Sequence, residues 1–127
     1  TGRKPNNWSP WCNHGVALAA LLVEKDQSRL DAILDKTSRS VDSYFNSLTD
    51  DGCCDEGSTY WAQAIPRFCQ YLQLLEDASG GKCTIRPNVK LSAISDYISR
   101  VTACCDESGK TWAINFGDAS PSKVHIW

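Results

Sequence analysis

The sequence predicts an all-α chain of antiparallel helical hairpins, ending in a short irregular or β tail. Three observations carry that expectation. Apolar residues recur at helical spacings of three, four and seven in separate long stretches. Clusters of glycine, proline and aspartate interrupt them. The connections between stretches are short, which makes antiparallel neighbours the natural packing.

Taken in order, Thr1 to Pro10 is polar and proline-containing and reads as an extended lead-in. A first helix is expected from Trp11 or Cys12 to about Lys25, apolar on nearly every side and therefore buried on several faces. The second runs from Gln27 or Ser28 to about Leu48, with Leu30, Ile33, Leu34, Val41, Tyr44, Phe45 and Leu48 forming one stripe. The segment Thr49 to Thr59, with two glycines and three aspartates, cannot continue it and reads as a loop. A third helix follows from about Tyr60 to Asp77, carrying Trp61, Ile65, Phe68, Leu72 and Leu75 on one face. Pro66 lies inside it and either bends it or marks a late start. Gly80-Gly81 stops it.

The linker Lys82 to Arg86 leads to Pro87-Asn88 and a fourth helix ending near Thr102, with Leu91, Ile94, Tyr97, Ile98 and Val101 as its stripe. Within the remainder, Trp112 to Phe116 alternates and fits one short strand. Four main helices over residues 11–103 and an irregular or short-strand segment over 104–127 thus form one domain of 127 residues.

Composition excludes several classes. A hydrophobic fraction of 42% with 22% charged residues reads as globular. A net charge of −2 gives no electrostatic case for nucleic acid or an anionic membrane. The longest apolar run, Val16 to Val23, is far shorter than a membrane span. No signal peptide is recognisable, so the compartment is not encoded here. The chain holds no Met and begins with Thr1, which suggests a segment of something longer.

Seven cysteines are many for this length: Cys12, Cys53, Cys54, Cys69, Cys83, Cys104 and Cys105. The odd number cannot pair fully within the chain, and two adjacent pairs make a poor disulfide framework. Zinc-finger spacing is lacking, so no metal site is expected. Reduced thiols acting as small apolar residues are the simplest reading, with one or two disulfides left open.

Two stretches carry candidate chemistry. Asn7, Trp8, Trp11, Asn13 and His14 crowd the first helix start, where an ordinary start needs one small polar cap. Glu56, Tyr60 and Trp61 stand at the start of the third. In stacked hairpins alternate helices run the same way, so both stretches are expected at one rim. Rings for sugar faces and planar polar groups for hydroxyls and carboxylates are what a carbohydrate site needs.

The ordered blocks Asn6-Asn7-Trp8, Trp11-Cys12-Asn13, Asp51 to Gly57 with Tyr60-Trp61, and Asn115 to Pro121 resemble the heparinase II/III-like polysaccharide lyases. Asn13-His14-Gly15 is similar to the Asn-His-Gly of alginate-type lyases in the same superfamily. The resemblance covers most of residues 6–121 and implies an arc of an incomplete (α/α) toroid. It implies β-elimination on a uronic-acid polysaccharide; no cofactor is expected. By the same resemblance Asn13 neutralises the uronate carboxylate, His14 is the base or a second neutralising group, and Tyr60 is the acid or base. Asn7, Trp8, Trp11, Glu56 and Trp61 are the implied substrate-binding residues. Periplasmic or secreted placement is implied too, while the seven cysteines leave a cytoplasmic chain open.

Physical chemistry adds a condition: a phenol near its reference pKa of about 10 is a poor base at neutral pH without a neighbouring cation or donors. Plainer roles stand beside each assignment. Asn13 and His14 could cap or pack at a helix start, Trp8 and Trp11 anchor a core, and Glu56 cap a helix N-terminus. Arg67, next to Pro66, reads as solvated, Asp118 as a turn residue, and His125 carries no argument.

A toroid needs many more helices, and such lyases add a β-sandwich domain. The chain alone is therefore expected to be inactive and to need the remainder of its parent. A non-catalytic carbohydrate-binding or structural helical module is the alternative. A glycoside hydrolase is a second, weakened because only Asp55/Glu56 is well placed where two facing carboxylates are required. Apolar surface on an isolated segment favours self-association.

Overall fold

The computed structural model describes residues 5–84 and 88–122. Four helices, α1 (Trp8–Val23), α2 (Gln27–Ser47), α3 (Ser58–Ala78) and α4 (Val89–Val101), precede two strands, β1 (Thr102–Cys105) and β2 (Thr111–Ala113). The fold is mostly helical with a short antiparallel β-hairpin at the end. Part of the lead-in, the linker end with Pro87, and the last residues with His125 lie outside the described residues. The chain divides into two compact units: residues 1–47 with 66–86, and residues 48–65 with 87–127. The division falls at Pro66, within α3.

In the first unit, α1 begins at Trp8, a turn before the expected start. Pro10 permits this: in the first turn its missing N–H has no intrahelical acceptor to lose. Asn7 is the cap residue but makes no side-chain capping bond. Glu24 ends the helix, and its carboxylate accepts from the N–H groups of Lys25 and Asp26. Asp26 then accepts from Arg29 N–H and starts α2, so α1 and α2 form a tight antiparallel hairpin.

The core of this unit is built on Ala17, Ala20, Val41, Tyr44, Phe68 and Tyr71. Phe45 and Phe68 stack at 5.6 Å with nearly parallel rings. The apolar stripe of α2 has a polar break, Thr37-Ser38, that the periodicity does not explain. Its reason is Tyr71, whose buried phenol sits 3.0 Å from Thr37 Oγ1 and 2.9 Å from Ser38 Oγ. Tyr71→Phe leaves those hydroxyls short of a partner and is expected to cost about 1–3 kcal/mol in denaturant unfolding.

In the second unit, the loop from Leu48 to Gly57 is held by α4. Lys90 Nζ donates to the Leu48 carbonyl at 2.6 Å, and Arg100 donates to the carbonyls of Asp51 and Ala93. Gly52 has φ +82, and a Cβ there would lie 2.6 Å from backbone atoms of Ala93 and Ile94, so the loop runs directly on α4. Asn88 caps α4 by accepting from Leu91 N–H at 2.9 Å. Ile94, Tyr97 and Ile98 are its buried face, with Trp61 tilted against Tyr97 at 5.7 Å.

The alternating segment forms β2 over Thr111–Ala113, shorter than expected, and pairs with β1, which the sequence did not signal. The turn between them is closed by Asp106, which accepts from Ser108, Lys110 and the Trp112 indole; these donors hold its carboxyl down at about 2.

All seven cysteines are free. Only Cys54 is fully buried, where burial pushes its thiol up, and Cys53 is half-buried beside the Tyr97 phenol. Cys12, Cys69, Cys83, Cys104 and Cys105 are exposed, so the apolar-filler reading holds for Cys54 and not for those five.

Candidate functional site

Asn13 and His14 stand in the second turn of α1, so neither caps the helix. Asn13 Nδ2 donates to the Ser9 carbonyl at 2.7 Å and to Ser40 Oγ at 2.9 Å. Because a carbonyl can only accept, the Ser9 contact fixes which end of the amide is nitrogen. Both amide hydrogens are therefore engaged, and the Ser40 contact is the exchangeable one, since a hydroxyl can rotate and re-pair.

Arg67, which the sequence reads as solvated, is instead held against a ring. It is half-buried, and its guanidinium lies 4.1 Å from the Trp11 ring centre, held also by a bond from Nη1 to Gln70 Oε1 at 2.7 Å. The ring braces the cation while leaving donors for an anion. The available signal was the distance from Pro66-Arg67 to the next charge along α3, Glu76, which leaves Arg67 alone on an otherwise uncharged stretch.

His14 is half-buried, and burial first and the Arg67 cation second lower its pKa from the ordinary 6.5. It is thus a neutral imidazole at pH 7, able to accept a proton. Arg67→Gln is expected to move the His14 midpoint upward in an NMR pH titration, without fully restoring it because burial remains. The sign for stability follows. A depressed histidine supports the fold fully above about pH 6.5 and loses that support as pH falls through its lower folded value.

Trp8 is exposed and Trp11 partly so, whereas Asn7 is only 5% exposed and offers no open face. These residues belong to the first unit. Among the described residues of this unit, one recess of about 550 Å³ lies beside Arg39, Asp42 and Asn46 and another of about 200 Å³ beside Tyr71, Leu75 and Lys82. Neither is lined by Asn13 or His14.

Glu56, Tyr60 and Trp61 belong to the second unit. Glu56 and Tyr60 are half-buried at the head of α3, and Trp61 is packed away at 8% exposure. Gly57 precedes α3 with φ +91, and its carbonyl accepts the first helical bond from Trp61 N–H at 3.0 Å. Thr59 Oγ1 donates to the Ser120 carbonyl and accepts from Ser120 N–H, both at 3.1 Å. The blocks around Gly57 and Ala119, far apart in sequence, are therefore packed together. Ser58 Oγ and Trp61 Nε1 are buried there without a hydrogen-bond partner.

Among the described residues no group of three or more His, Cys, Asp or Glu side chains could hold a metal ion, and no helix is long and apolar enough to cross a membrane. No protein-family profile matches the chain, and no curated protein is significantly similar to it.

Proposed function

We propose that the chain is a helical segment of a heparinase II/III-like polysaccharide lyase, an arc of its incomplete (α/α) toroid, acting on uronic-acid polysaccharides. The observation that carries this reading is the Arg67 guanidinium braced on Trp11 beside a neutral His14. A uronate carboxylate needs a cation or donors before its C5 proton becomes acidic. Arg67 supplies the cation, and Asn13 adds a donor by exchanging Ser40 Oγ for a carboxylate oxygen. Trp8 and Trp11 are the sugar platforms and Glu56 a hydroxyl ligand. Asn7 and Trp61, both buried, serve from behind the surface.

In the elimination, a base takes the C5 proton, the electron pair forms the C4–C5 double bond, and the C4–O bond breaks. The departing oxygen then takes a proton from an acid. His14, neutral, suits the base; Tyr60 suits the acid, for which a phenol needs no depressed pKa. The 127-residue chain alone has little or no turnover, because a toroid of this kind has many more helices.

The test is a screen of acidic polysaccharides against the full-length parent. Lyase action yields an unsaturated uronide that absorbs in the ultraviolet, whereas hydrolysis yields reducing ends without absorbance. Absence of absorbance with every uronate polymer rejects the lyase reading.

One observation favours a second reading, a non-catalytic carbohydrate-binding or structural module. Gly52, Gly57 and Ala119 in the resembling blocks are accounted for by close packing alone. Uronate binding without any product in the parent would select that reading.

A further inference from the structure

We infer that the recess between α2, the C-terminal half of α3 and the loop after it is a binding site for a free apolar amino acid of about leucine size, held as its zwitterion. The recess measures about 200 Å³. One water needs ~10–15 Å³ of such space, so there is room for about ten heavy atoms.

Helical spacing builds two of its walls. Ser38, Val41 and Asp42 lie on one face of α2, and Leu72 and Leu75 follow Tyr71 along α3. The third wall is the loop at Lys82. Gly80 and Gly81, at φ +63 and +80, turn the chain back by donating to the carbonyls of Asp77 and Glu76. Cys83 N–H then donates to Ser79 Oγ at 2.8 Å, which ties the loop to the helix end.

The polar groups on the α2 side accept and do not donate. Thr37 Oγ1 gives its one hydrogen to the Leu34 carbonyl at 3.0 Å. It must therefore accept from the Tyr71 phenol, and the phenol, its hydrogen used there, must accept from Ser38 Oγ. The Ser38 hydrogen is thus engaged, and only its lone pairs are left for an occupant. Asp42, one turn along the same face, adds a carboxylate, so the donor that fits is an ammonium. Lys82, from the loop, calls for an anion. Neither Asp42 nor Lys82 is ion-paired among the described residues. Val41, Leu72 and Leu75 supply the apolar surface. An ammonium and a carboxylate on one carbon, with an aliphatic chain beside them, satisfy all three demands. A uronate has neither the ammonium nor the chain, so this site is separate from the α1 cluster and does not depend on the lyase reading.

A methyl NMR titration of the 127-residue chain with L-leucine tests it. Saturable shifts are expected at Val41, Leu72 and Leu75 with a Kd near ~1 mM, ordinary for a ligand of this size. Glycine, which lacks the aliphatic chain, should bind at least roughly tenfold more weakly. Two blocked ligands separate the charges. Asp42→Asn is expected to weaken leucine about tenfold and to leave N-acetylleucine, which has no ammonium, unchanged. Lys82→Gln is expected to weaken leucine by a similar factor and to leave leucinamide, which has no carboxylate, unchanged. Both residues are exposed, so the variants should keep the circular dichroism of the wild type. A merely structural role could not produce losses matched to one charge of the ligand. No saturable shift up to roughly 20 mM leucine overturns the inference. So do equal affinities for leucine and its blocked forms, or a leucine affinity that neither variant changes.

Discussion

Asn13→Ala and Tyr60→Phe, introduced into the full-length parent, are each expected to lower turnover by roughly 10²–10⁴-fold, the range over which a positioned acid, base or charge-stabilising donor acts. The two should differ in how they do so. Asn13 binds the carboxylate as charge develops next to it, so its loss lowers kcat more than it raises KM. Tyr60→Phe removes one oxygen and leaves the ring packing, so its effect falls on kcat alone. Folding is a manageable control. Asn13→Ala gives up bonds to Ser9 and Ser40 that are part-buried, a cost of about 1 kcal/mol. Circular dichroism should show both variants folded. Full turnover in both would mean that the site assignment is wrong even where elimination itself is observed.

Gly57→Ala has the largest expected effect on stability. The residue has φ +91, and the added Cβ would lie 2.5 Å from Ala119 Cβ and 2.6 Å from the Phe116 carbonyl oxygen. Neither obstacle is the end of a flexible side chain. The strain of a positive φ in alanine and the forced separation of two packed segments together cost about 2–4 kcal/mol. Gly15→Ala is the matched control: helical, open, and expected to stabilise the chain by about 0.5–1 kcal/mol. Urea unfolding of the two variants should therefore move in opposite directions. Equal and small shifts would show that the Gly57 turn is not packed as described.

The helices α2 and α4 were legible because their apolar stripes are regular and their ends carry polar breaks, with Asn88 standing at the start of α4. The start of α1 was not, since proline reads as a breaker unless its place within the first turn is known. The late start allowed for α3 at Pro66 is corrected in the same way: eight helical residues precede the proline. Strand β1 escaped notice because Thr102-Ala103-Cys104-Cys105 has no alternation and depends on its partner for its hydrogen bonds. Glycines 52 and 57 were read as loop punctuation, but the bodies they must avoid, the α4 backbone and Ala119, are remote in sequence. The Thr37–Ser38–Tyr71 cluster and the Trp11–Arg67 stack were invisible for the same reason. Asn13 and His14 could be singled out as unusual; the bond from Asn13 to Ser40 and the Arg67 cation near His14 could not.

Carboxylate recognition by the α1 cluster is the claim on which the functional reading turns, and the 127-residue chain itself can be asked. The measurement is an NMR titration of isotopically labelled protein with a uronate oligosaccharide, and separately with the same sugar carboxyl-reduced to its neutral form. The Arg67 guanidinium and His14 imidazole signals are expected to shift in a saturable way with the uronate and not with the neutral sugar, and Arg67→Gln should remove the response. Equal shifts with both sugars, or none with the uronate at millimolar concentration, would contradict a uronate site on this helix.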